Sequence, residues 1–99
     1  MLALSLTSPA EILKGIATRI RRRRIDFNLT QRELASRSGV SYGSLRLLEE
    51  TGKASLESVV KIAFALEAES EFDTLFPPRP ARTLDEIIGR TVRQRVRKK

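Results

Sequence analysis

Thr30-Gln31-Arg32-Glu33-Leu34-Ala35, followed by Gly39-Val40-Ser41 and then by Leu45 and Leu48, reads as two short helices joined by a three-residue turn. Each position has a local reason. The Thr30 hydroxyl can cap a helix start, and Glu33 three residues on can reach back to the Thr30 N–H, a capping box. Leu34 and Ala35 face inward, and a residue as small as alanine lets a second helix approach closely. Gly39 can take the left-handed conformation that ends the first of the two helices. Val40 plugs the turn. Ser41 caps the next helix, whose apolar Leu45 and Leu48 fall three apart on one face.

The stretch resembles the helix-turn-helix of the Xre family, the Cro and CI repressor type. Gln31, Ala35, Gly39, Val40, Leu45 and Leu48 stand where that family keeps its signature residues. Leu56, Ile62, Ala63 and Leu66 resemble its fourth helix, so the likeness covers roughly residues 16–76. It implies an all-α, five-helix, lambda-repressor-like DNA-binding domain, here with a helical C-terminal extension. An ordinary helical hairpin that serves as a protein-interaction module is the blander reading.

Composition bounds the function. Ninety-nine residues favour one domain, and a chain this short gains stability by dimerising. There is no cysteine and no histidine, which removes thiolate metal sites, disulfides and the commonest general base. No Ser-His-Asp set is possible, no glycine-rich phosphate loop appears, and no carboxylate pair has an evident acid/base role. The expectation is a non-enzyme without cofactor or metal. No apolar run is long enough to span a membrane, and residues 1–6 lack the basic start of a signal peptide, so a cytoplasmic location is expected.

Net charge is +7, which suits a polyanion. Its distribution says more. Residues 10–53 hold ten Lys/Arg and five Asp/Glu, and residues 89–99 hold six basic residues and no acid. Between them, residues 54–78 hold one lysine against five acids: Glu57, Glu67, Glu69, Glu71 and Asp73. An acidic segment disfavours DNA and should face away from it.

Along the chain, Leu2, Leu4 and Leu6 alternate with a strand period, so residues 1–8 are a flexible segment or an edge strand for a partner chain. Ser8-Pro9-Ala10-Glu11 is a second capping box with proline at the first helical position. It opens a helix over about 9–27, with Ile12 or Leu13, Ile16 and Ile20 as its buried stripe and Asn28 closing it left-handed. Where the family tends to have leucine this chain has Arg23, so the register should differ, with Ile25 and Phe27 taking over the packing; the alternative is an Arg23 that snorkels along its stem. Helices follow over about 30–38, 41–51 and 55–67, the last with Leu56, Val59, Val60, Ile62, Ala63 and Leu66 as its core face. A short fifth helix over about 70–76 carries Phe72, Leu75 and Phe76. The compact domain spans 9–76, Pro77-Pro78-Arg79-Pro80 opens a proline-rich linker over 77–83, and Thr83-Leu84-Asp85-Glu86 caps a basic last helix within 84–99. Leu84, Ile88, Val92 and Val96 recur every fourth residue along it.

The resemblance also assigns site residues. The start of the second helix-turn-helix element enters the major groove, and dimer half-sites lie about 34 Å apart. By position Ser41, Tyr42, Gly43, Ser44 and Arg46 are groove-facing. Arg46 can bond a guanine O6 and N7 together or, more plainly, clamp a phosphate. Tyr42 can meet a thymine methyl or a phosphate, or pack on the preceding helix. Gly43 permits close approach and reads nothing. Gln31 and the N–H groups beside it can bond a phosphate, or Gln31 is a surface capping residue. Lys53, Arg32 and Arg37 are further phosphate contacts or solvated cations. At most two of Arg21, Arg22, Arg23 and Arg24 can face DNA together; the rest face a partner, pair with Asp26 or Glu33, or are solvated. Glu49 and Glu50 should turn from phosphate or pair with Arg46 or Lys53.

The expected function is a dimeric repressor of double-stranded operator DNA. The whole-chain pattern resembles HipB-like antitoxins, which bind their operon DNA and a HipA-like kinase toxin; on that likeness residues 57–73 and the last helix would meet the toxin, and the alternative for the last helix is self-packing or dimerisation. The alternatives are a stand-alone or phage-type regulator and a protein-interaction module that binds no DNA.

Overall fold

The computed structural model describes residues 7–80 together with Leu84, Ile88 and Gly89. The leucine-rich start and, apart from those three positions, the last helix lie outside the described residues. Helix α1 spans Pro9–Asp26, α2 Gln31–Ser38, α3 Tyr42–Thr51 and α4 Leu56–Ala65, and a 3-10 helix spans Glu69–Thr74. There are five helices and no strand among the described residues.

Each α-helix start is built by the expected cap, while the 3-10 helix starts without one. Ser8 and Thr30 both form complete capping boxes, with Glu11 and Glu33 returning the bond to the cap N–H at 3.0 and 2.8 Å. The Thr30 backbone N–H, then its hydroxyl, hold the Glu33 carboxyl below the ordinary carboxylate range. Ser41 and Ser55 cap α3 and α4 through Ser44 and Ser58. Gly39 (φ 77°), Gly52 (φ 83°) and Asn28 (φ 58°) all take the left-handed conformation that closes a helix.

The core is small. Leu34, Leu45, Leu48 and Ile62 are fully buried, joined by Leu29, Ala35, Val40 and Leu66, with Ile20, Tyr42 and Ala65 packed around them. α3 lies against α1 and α2, and α4 packs on α2. The α2–turn–α3 unit is therefore held from both sides, by α1 at α3 and by α4 at α2.

Four expectations are corrected. The stripe on α1 is rotated: Ile12 and Leu13 are exposed, Ile16 and Ile20 are half-buried, and Ala17 is the buried position. The inward face runs Ala17, Ile20, Arg24, so the first turns of α1 overhang the core. Ile25 and Phe27 do not take over the packing; they are 51% and 37% exposed. Arg23 instead reaches out to Glu71 at 3.0 Å across the surface. Leu56, as the first residue of α4, projects past the core and is 70% exposed. The fifth helix ends at Thr74, leaving Leu75 extended and Phe76 left-handed (φ 56°), both exposed.

Candidate nucleic-acid interface

α3 is anchored by one face and open on the other. Leu45 and Leu48 are buried, while Ser41, Gly43, Ser44 and Arg46 are exposed. The Ser41 hydroxyl accepts from the Ser44 N–H at 3.1 Å and donates to the Ser44 hydroxyl at 2.8 Å. That satisfies one orphan donor of the first turn and leaves the Tyr42 and Gly43 N–H groups without an intrahelical acceptor. A Cβ at Gly43 would meet nothing within 4 Å, so its backbone stands open to an approaching surface. Arg46 is tethered by Nε donating to Glu50 Oε2 at 3.2 Å, one helical turn on, with both side chains 58% exposed.

Tyr42 is half-buried against the core, and the Arg32 guanidinium lies over its ring at 4.1 Å from the centroid. The packing alternative for Tyr42 therefore describes its place in the free chain, and Arg32 spans α2 and α3. Lys53 is exposed just beyond Gly52, its N–H donating to the Thr51 hydroxyl at 3.1 Å. Arg37 is exposed in the last turn of α2.

Gln31 is not a free surface amide. Its Nε2 donates to Glu49 Oε1 at 3.0 Å. The same carboxylate takes a forked pair from Arg24, Nε to Oε2 at 2.8 Å and Nη2 to Oε1 at 3.0 Å, while Arg24 Nη1 donates to the Leu29 carbonyl at 2.8 Å. The side chains are 11% and 2% exposed. Glu49 therefore pairs with neither Arg46 nor Lys53; it turns inward because Arg24 already lies on the buried face of α1. This charge cluster ties together α1, the start of α2 and the end of α3. The sequence carries a signal for it: Arg24 falls on the Ala17–Ile20 stripe, and Glu49 follows the buried Leu48.

The arginine run is thereby divided. Arg24 is structural and Arg23 serves the surface pair with Glu71. Arg22 lies with Lys14, Gly15, Thr18 and Arg19 on the outer side of α1. Arg21 lines an open groove with Arg24, Thr30, Gln31, Glu49 and Glu50, beside the start of α2. The Thr30 box satisfies its own N–H and that of Glu33, leaving the Gln31 and Arg32 N–H groups available there. Two helix starts with open N–H groups, flanked by Arg21, Arg32 and Arg46, form a surface suited to phosphates and base edges.

The profile of the helix-turn-helix family HTH_3, the Xre and Cro/CI type, matches residues 20–70, just over half of the chain. The chain belongs to this family. Its members are DNA-binding transcription regulators and typically not enzymes. No curated protein matches the chain. The matched span runs from the middle of α1 into the 3-10 helix, so it takes in α2, α3, α4 and the Arg24–Glu49 cluster. Among the described residues there is no cluster of His, Cys, Asp or Glu able to hold a metal, and no helix long and apolar enough to cross a membrane.

Proposed function

We propose that this helix-turn-helix regulator is a sequence-specific repressor that binds a two-fold operator as a homodimer, with the start of α3 in the major groove. One observation carries the reading: Leu45 and Leu48 bury one side of α3 completely, while Arg46 stands more than half exposed between them with a single neighbouring carboxylate. A rigid helix thus presents a guanidinium whose fork matches a guanine edge. Ser41, Tyr42, Gly43 and Ser44 line the same end. Arg32, Lys53 and the backbone N–H of Gln31 contact phosphates, and Arg21 joins them from α1.

The test is a binding titration. Duplexes are first selected from a randomised pool, and Arg46→Ala is then compared with the unaltered chain. The variant loses about 1–3 kcal/mol on the selected duplex, roughly 5–150-fold, and much less on random sequence. Equal loss on both makes Arg46 a phosphate clamp. Absence of binding by folded protein at low salt removes the repressor reading.

A second reading makes the chain an antitoxin that represses its own operon and holds a HipA-like kinase toxin. It is favoured by the surface remote from α3: exposed Leu56 and Phe64 on α4, within a segment carrying one lysine against five acids. Co-purification with a kinase encoded beside it supports this; a neighbourhood without such a gene leaves a stand-alone regulator.

A further inference from the structure

α3 leaves one large apolar side chain in the open. Leu47 is 47% exposed, while Leu45 and Leu48 are buried. At 3.6 residues per turn, Gly43, Arg46, Leu47 and Glu50 fall together on the face opposite that buried pair, and all four are exposed. A leucine on a helix leans toward the helix start, over the turn before its own Cα. For Leu47 that turn carries Gly43, where an added Cβ would meet nothing within 4 Å. Leu47 thus overlooks a notch floored by bare backbone. Arg46 stands beside it. The bond to Glu50 at 3.2 Å holds the Nε edge of Arg46 and leaves both Nη groups without a partner among the described residues. The outer face of α3 therefore offers one forked cation and one apolar side chain, side by side.

We propose that Leu47 reads the C5-methyl of a pyrimidine in the major groove, thymine in unmodified DNA, in a pair neighbouring the guanine taken by Arg46. This rests on the DNA-binding reading above and adds a second base-reading residue to it. The C5-methyl is the apolar group that a base edge presents in that groove. A methyl fits a notch left by a missing side chain, and Leu47 is desolvated against it. Cytosine lacks the group and gains nothing there. The surroundings fit DNA as the cover of Leu47. Arg32 and Lys53 are exposed to either side of α3, and the family is DNA-binding. Glu50, on the same face as Leu47, disfavours phosphate at that spot, so the face meets base edges while the flanking cations meet the backbone.

A binding titration of the full chain tests it on a duplex selected from a randomised pool. Each thymine is replaced in turn by uracil, which removes the methyl and leaves the pairing edge alone. At one thymine in the half-site, uracil should weaken binding roughly fourfold, the worth of one buried carbon. Leu47→Ala should bind the thymine duplex more weakly by a similar factor and no longer distinguish thymine from uracil at that position. Leu47→Met, which keeps the apolar reach, should still distinguish them. Leu47 is exposed, so both variants should keep the helicity of the unaltered chain. With a cytosine–guanine pair placed there, 5-methylcytosine should bind better than cytosine, by the same methyl. Selective binding with no thymine sensitive to uracil, or a sensitivity that persists in Leu47→Ala, overturns the assignment to Leu47 and leaves the DNA reading standing. So does equal binding of 5-methylcytosine and cytosine. Absence of binding to every duplex at low salt overturns the DNA reading, and this one with it.

Discussion

Replacing Glu49 by alanine would leave the Arg24 guanidinium, with its side chain only 11% exposed, facing an empty site. Breaking a buried pair from one side costs about 3–5 kcal/mol, a large share of the stability of so small a core. Urea unfolding of Glu49→Ala should show that loss, and a Glu49→Leu/Arg24→Met double variant should recover much of it. A loss below about 1 kcal/mol would mean the pair is open to water. Gly43 behaves oppositely. An alanine there meets nothing and gains about 0.5–1 kcal/mol as a helix former. Gly43→Ala should therefore raise the melting temperature while weakening binding to a selected duplex, since in the proposed complex its methyl would stand between the backbone and DNA. Unchanged binding would show that α3 does not come that close. At this scale the sequence is readable where one residue has one local job, as Gly39 and Ser41 do. Arg24 escapes such a reading because its partner lies twenty-five residues away. Pattern alone does not show which member of an arginine run turns inward.

The elements are legible through their ends. Four serine or threonine caps, two complete boxes and two left-handed glycines fall at the expected residues, because capping is decided within four positions of the chain. The rotation of α1 is not legible. Its stripe can be drawn through Ile12 or Ala17, and the choice depends on where α3 touches it. Gly52 shows that close approach: a Cβ there would lie 2.8 Å from the Leu13 backbone. The two C-terminal glycines thus predict different costs. Gly39→Ala has open space and should lose only the backbone strain of a positive φ, about 1–2 kcal/mol. Gly52→Ala adds a clash with rigid backbone and should cost clearly more, pushing α1 off α3. Denaturant midpoints rank them, and equal losses would mean that α1 yields without penalty. The apolar pattern carries the 3-10 helix too far for a related reason. Phe72 anchors it half-buried, but Leu75 and Phe76 find no place on the core and the chain turns away at Leu75.

Across the whole molecule, every buried apolar residue among those described lies between Ala17 and Leu66, while charge continues in both directions. Folding and binding should therefore separate along the chain. Truncation after Pro80 removes no buried side chain among the described residues, so the shortened chain should keep its helicity and cooperative melting. It does lack the six basic residues of 89–99. If the tail reaches phosphates, the slope of log affinity against log salt should fall by about 0.9 for each phosphate that the tail neutralises. The sequence preference proposed for residues 41–46 should persist on a single half-site duplex. On a duplex with two half-sites, affinity should drop further if residues 81–99 help to join two copies. The salt slope and the half-site comparison thus separate two roles for one basic segment. A fall in slope alone makes it an arm on the DNA, and a loss confined to the paired duplex makes it a link between copies. An unfolded product would instead place residues 84–96 in the core, against the exposure of Leu84 and Ile88.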